Sequence, residues 1–143
     1  MAQHNILGRR GEDLAVTFLR EKGYRILDRN WKHGDLELDI VAKEGDEIVF
    51  VEVKTRSSSD YGEPEDSVDE LRKRRLTSAA SIYLKHHRLD NRSRFDIIAI
   101  ILNDKEQSIN HIEEAFHPRS RFVGPRSMLP ENKWTKSYWK HRK

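Results

Sequence analysis

Residues 36–56 constrain the fold more than any other stretch. Two β-branched-rich runs, LELDIVA and EIVFVEVKTR, flank the turn residues Lys43-Glu44-Gly45-Asp46. Such runs around a glycine-containing turn predict an antiparallel hairpin. A two-residue loop at Gly45-Asp46 and a four-residue loop at 44–47 give the same register, with Asp39 opposite Glu52 and Glu37 opposite Lys54. Alternation puts Glu37, Asp39 and Val41 on one face of the first strand, and Leu36, Leu38, Ile40 and Ala42 on the other. On the second strand Ile48, Phe50, Glu52 and Lys54 share a face, and Val49, Val51 and Val53 take the reverse.

Two carboxylates facing each other across a hairpin, with Cβ atoms roughly 4.5–5.5 Å apart, repel. Burying them unpaired costs several kcal/mol or forces a proton onto one. Lys54 on the same face and a divalent cation are the two candidate compensators. Mg²⁺ or Mn²⁺ suits oxygen donors such as Asp39, Glu52 and the Val53 carbonyl, leaving positions for water and phosphate. A metal so held polarises a phosphoryl oxygen and activates an attacking water. Lys54 would stabilise the charge that develops or orient the water. The alternation also fits an edge hairpin whose polar face meets solvent. Against that stand Phe50 and Val41 on the carboxylate face, and an opposite face that is already a full core face. An Asp on one strand with Glu-x-Lys on the next is the PD-(D/E)xK nuclease pattern.

Around the hairpin, residues 8–22 read as a helix with Leu14, Ala15, Phe18 and Leu19 inward, and Gly23 suits the position just past its end. Tyr24 to Trp31 reads as a strand and His33-Gly34 as a turn. SSSDYGEPE at 57–65 reads as a loop. Ser67 with Glu70 forms a capping-box pattern opening a helix to about His86, with Val68, Leu71, Ala79 and Tyr83 inward. Phe95 to Leu102 reads as an apolar buried strand, and Ile109 and Ile112 mark a last short one. The order α-β-β-β-α-β-β predicts an α/β domain with a mixed sheet flanked by helices over 1–117.

Beyond Pro118 the periodicity stops, and three of the four prolines fall there. Residues 118–143 carry eight Lys/Arg against Glu131 alone, a net of +7, which leaves −4 over 1–117. A basic tail on a mildly acidic body predicts either a solubilising segment or an electrostatic partner such as nucleic acid. Trp134, Tyr138 and Trp139 interleave with Lys133, Lys136 and Lys140, which suits stacking on unpaired bases or anchoring to the body. The chain has no cysteine, no secretory signal pattern and no apolar stretch near the roughly 20 residues of a membrane span. A cytoplasmic location away from membranes is the expectation.

GRRGED at 8–13, GY at 23–24, RNW at 29–31, LDIVA at 38–42, VFVEVKTR at 49–56, YGEPEDSV at 61–68 and RFDIIAI at 94–100 resemble, in order, the YraN-like family of bacterial proteins. The resemblance covers roughly 5–117. It implies kinship to Holliday-junction resolvases, a restriction-endonuclease-like fold, and Asp39, Glu52 and Lys54 in a nuclease motif. It also implies that Glu12 supports the metal and, by analogy with resolvases, a homodimer. The implied activity is a metal-dependent endonuclease on DNA, including branched or damaged structures. A non-catalytic nucleic-acid-binding module is the alternative. One departure concerns the family's Gly-Glu-Ile-Asp. Here Gly34 is followed by Asp35-Leu36-Glu37-Leu38-Asp39, so Glu37 competes with Asp39 as the motif acid. Arg9, Arg56 and Lys73, the last within the run Arg72-Lys73-Arg74-Arg75, are the candidate contacts to a nucleic-acid backbone.

Overall fold

The computed structural model of the chain describes residues 2–58 and 68–116. Helix α1 (Ala2–Glu21) precedes β1 (Arg25–His33), β2 (Leu36–Glu44) and β3 (Glu47–Arg56); helix α2 (Glu70–His86) leads to β4 (Ser93–Leu102) and β5 (Gln107–Phe116). The five strands form one sheet in chain order, antiparallel except for the parallel β3–β4 pair. The crossover that parallel pairing requires is supplied by α2. Expectations for the basic tail and for most of the loop at 57–65 fall outside the described residues.

Each helix covers one face of the sheet. Ala15, Val16 and Leu19 of α1 pack on Ile40, Ala42, Val49, Val51, Ile98 and Ile100. Leu76, Ala79, Ala80 and Tyr83 of α2 pack on Leu38, Val41, Ile48, Phe50, Phe95 and Ile97. Helix α1 ends as expected: Gly23 adopts φ 95°, and the N–H groups of Gly23 and Tyr24 donate to Arg20 and Leu19 carbonyls at 3.0 and 2.9 Å. It begins earlier than periodicity indicates, running through Gly8 and Gly11. Gly11 has a packing reason to be there. A Cβ on it would come within 2.8 Å of Thr55 Cβ, so its bare backbone lets α1 lie close against β3 beside the Glu-x-Lys segment.

The N-cap of α2 is Asp69, whose carboxylate accepts from Arg72 N at 2.8 Å, and not Ser67. Leu71, expected inward, is exposed, and Leu76, Thr77, Ala80 and Leu84 join Ala79 and Tyr83 in the core. The last strand is ten residues long rather than a short segment, because its alternation is masked by the polar residues QSINH on the sheet's rim.

The strand read as wholly apolar holds a buried polar cluster instead. Arg94 is 2% exposed and Asp96 is 0% exposed. Arg94 donates to both Asp96 oxygens at 2.9 and 3.1 Å, to Glu44 and Glu47 at 2.9 Å each, and to the Tyr24 hydroxyl at 2.6 Å. Asp96 also takes a contact from His111 Nε2 at 2.8 Å and the Glu114 N–H at 3.0 Å. Burial alone would raise the Asp96 carboxyl, but these donors hold it below the ordinary carboxylate range.

Candidate active site

The hairpin has the predicted register. Glu44 pairs with Glu47, Val41 with Phe50 and Ile40 with Val51, and there the β2–β3 ladder ends. Beyond it β2 stays with β1, through Trp31↔Leu38 and Lys32↔Glu37, while β3 stays with β4, through Glu52↔Ile97 and Lys54↔Ala99. The strands therefore fork, and Asp39 and Glu52 are the first residues past the last pair.

Alternation breaks at the same place. Leu38 sits with Val41 in the core under α2, whereas Ile40 and Ala42 face α1, so the expected single face of Leu36, Leu38, Ile40 and Ala42 does not form. Two local features accompany the break. Asn30, between the Arg29↔Ile40 and Trp31↔Leu38 pairs, has φ 51°. Asp39 Oδ2 accepts the Val53 N–H at 2.9 Å, a side chain bonding to β3 just past the last backbone pair.

The fork decides between the two candidate acids. Glu37 does not meet Lys54 as the continued register would require; it lies on the β1 side, 3.6 Å from Lys32 Nζ. Asp39 is the acid beside Glu52. Burial first, then the Glu52 charge, then Glu12 push the Asp39 carboxyl up to about 8, against the Val53 N–H and Arg72, which pull it down. Glu12 thus approaches Asp39 from α1, held by Asn30 Nδ2 at 3.0 Å with Arg29 3.8 Å away. Glu52 is 5% exposed, and Lys54 Nζ stands 3.4 Å from its Oε2.

Asp39, Glu52, Lys54 and Glu12 are brought together; the three basic candidates are not. Arg9 is exposed on α1, and Arg56 is half-buried at the end of β3. Lys73 turns away, with its ammonium 5.6 Å over the Phe116 ring. Its neighbour Arg72 takes the place expected of it. Arg72 Nε donates to Glu52 Oε2 at 3.1 Å and Nη2 to Oε1 at 3.0 Å, a bidentate pair. Burial opposes the Arg72 charge, but the bonds to Glu52 and the charges of Glu52, Asp39 and Glu37 outweigh it and raise the guanidinium's pKa. In sequence, four consecutive cations hid which one faces inward. Packing of Leu76, Ala79, Ala80 and Tyr83 on the sheet turns Arg72 towards Glu52.

A carboxyl whose folded pKa lies above its ordinary 3.8 stabilises the fold only while protonated. For Asp39 that contribution is full below pH 3.8 and lost as pH climbs towards about 8. With a chelator present, the melting temperature of the protein should therefore fall between pH 5 and 8 more steeply than that of Asp39→Asn. Parallel melting-temperature curves for the two proteins would contradict this environment for Asp39.

Comparison with known proteins gives one family. The model described as "Uncharacterised protein family UPF0102" matches residues 11–100. A UPF0102 protein of Bacteroides thetaiotaomicron is 48% identical over 118 residues, covering 82% of this chain and 98% of its own. One from Flavobacterium psychrophilum is 48% identical over 117 residues, with the same coverage of both chains. One from Parabacteroides distasonis is 42% identical over 121 residues, covering 85% of this chain and all of its own.

Proposed function

The chain belongs to the uncharacterised protein family UPF0102, and we propose, from the chemistry of its strand fork, that it is a Mg²⁺- or Mn²⁺-dependent endonuclease acting on DNA. The observation that carries this reading is the half-buried Asp39 beside the buried Glu52, with the Lys54 ammonium 3.4 Å from Glu52. Two neighbouring carboxylates in a largely buried fork form an all-oxygen donor set, which fits a hard divalent cation. Asp39 and Glu52 would hold that ion, Glu12 would support it from α1, and the Val53 carbonyl, next after Glu52 on β3, would be a further ligand. When bound, the ion would polarise the phosphodiester and lower the pKa of water. Lys54 presents its charge where the phosphoryl oxygens gain charge, a contribution made mainly in the transition state. Val53 N–H fixes the Asp39 carboxylate, and Gly11 keeps Glu12 close to the fork. The YraN-like motifs and the restriction-endonuclease-like pattern they imply agree with this assignment.

A second reading, a non-catalytic nucleic-acid-binding module, draws on the Arg72–Glu52 pair, which balances the site without a metal. A cleavage panel over linear, flapped, gapped and four-way DNA separates the two. The endonuclease reading expects Mg²⁺- or Mn²⁺-dependent products that vanish with chelator and in Asp39→Ala. Steeply salt-dependent binding with no cleavage of any substrate would replace it with the module. No helix among the described residues is long and apolar enough to cross a membrane.

A further inference from the structure

Resting on the reading of the fork as a metal centre, we infer that Arg72 is a built-in counter-ion that competes with the cation for Glu52. In the metal-free protein its guanidinium sits on the oxygens a metal would need. On loading, Arg72 is released to a phosphate of the bound nucleic acid.

The geometry supports competition rather than cooperation. Both Glu52 oxygens are engaged by the guanidinium, at 3.0 and 3.1 Å. A carboxylate buried to this degree requires a positive partner, and Arg72 supplies it inside the chain. A guanidinium lying across both oxygens repels a second cation and crowds its approach, so metal binding and the bidentate pair compete.

The anchor and the exit are both visible. The backbone of Arg72 is pinned at the start of α2 by the Asp69 cap, so the helix need not move. The Arg72 side chain is 32% exposed, against 5% for Glu52, so the guanidinium can rotate outward while the carboxylate stays in place. The planar fork that fits a carboxylate also fits a phosphate bidentately. Lys54 cannot substitute in this role, because a single ammonium makes no fork.

Two linked consequences follow. Arg72 weakens metal affinity in the free protein. Nucleic acid that draws Arg72 away strengthens it, and metal must strengthen nucleic-acid binding by the same factor. Arg72 is thus a positioning residue that couples cation to substrate.

Calorimetric titration of Mn²⁺ into the full chain, alone and with an uncleavable phosphorothioate DNA duplex, tests this. Arg72→Gln should bind Mn²⁺ on the order of tenfold more tightly than the parent, the scale of one charge-assisted pair. It should bind the duplex more weakly and lose the duplex-induced gain in Mn²⁺ affinity. Arg72→Lys keeps the charge without the fork and should fall between, which guards against a Gln variant that simply folds poorly. If the parent binds Mn²⁺, Asp39→Asn does not, and Arg72→Gln binds no more tightly than the parent, the counter-ion role is overturned while the metal centre stands. If neither the parent nor the Arg72 variants bind Mn²⁺, both readings fall.

Discussion

Replacing Lys54 with alanine is expected to lower single-turnover DNA cleavage by roughly 10²–10³-fold, the loss seen when one preorganised charge-stabilising donor is removed. DNA and metal affinity should stay close to the parent's if, as proposed, the ammonium acts mainly on the transition state. The alternative is that Lys54 only neutralises Glu52. Arg72 already does that through two hydrogen bonds, whereas Lys54 makes a single 3.4 Å contact. Its stability contribution should therefore be small, about 0–1 kcal/mol as for other partly exposed pairs. Cleavage rate and melting temperature measured together separate the two roles. A variant that melts early but cuts at the parent's rate per folded molecule would remove Lys54 from the chemistry.

The largest effect on stability should come from Arg94→Ala, about 3–5 kcal/mol, the cost of breaking a buried ion pair by deleting one partner. Arg94 holds Asp96, Glu44, Glu47 and Tyr24 from one guanidinium. Its loss leaves Asp96, with no exposed surface, short of two of its donors. For a chain of this size the melting temperature should drop roughly 10–20 °C. The pairing Arg94→Met with Asp96→Asn should recover part of the loss, since the stranded charge goes with its partner. A drop of only two or three degrees in Arg94→Ala would show that the cluster does not hold the sheet together.

The hairpin was legible because its information is local. Glycine in the turn fixed the register, and Ile40↔Val51 follows it to the last pair. That register brought Asp39 to Glu52, and the Glu-x-Lys spacing brought Lys54. What alternation could not show is that the ladder stops at Ile40, where β1 carries the left-handed Asn30 at φ 51° and Asp39 bonds the Val53 N–H. Glu37 was therefore expected opposite Lys54 and is found beside Lys32. Which of four consecutive cations faces Glu52 depends on how α2 sits on the sheet, and a run of like charges carries no trace of that. Phe95 to Leu102 reads as a wholly apolar strand, and the roles of Arg94 and Asp96 escape that reading because their buried ion network joins β4 to β2, β3, β5 and Tyr24, none adjacent in sequence. Pairwise charge compensation across distant segments leaves no periodic trace in any one of them.

Both rim strands of the sheet are bent out of regular pairing. β1 slips register between Ile26 and Asp28 and carries the left-handed Asn30; the β5 ladder slips where it passes from Phe95 to Ile97 and carries Glu114 at φ 51°. An open edge strand that runs straight is a template on which another chain can add its own strand, and so seed aggregates. Bulges twist such an edge away from a newcomer. On β1 the exposed Arg25 adds like-charge repulsion between copies, while Arg29 and Lys32 are held in ion pairs with Asp13 and Glu37. On β5 the kink is fastened from within, by the Glu114 N–H on buried Asp96. The same polar cluster that secures the sheet's interior thereby keeps one of its margins from becoming a seam for self-association.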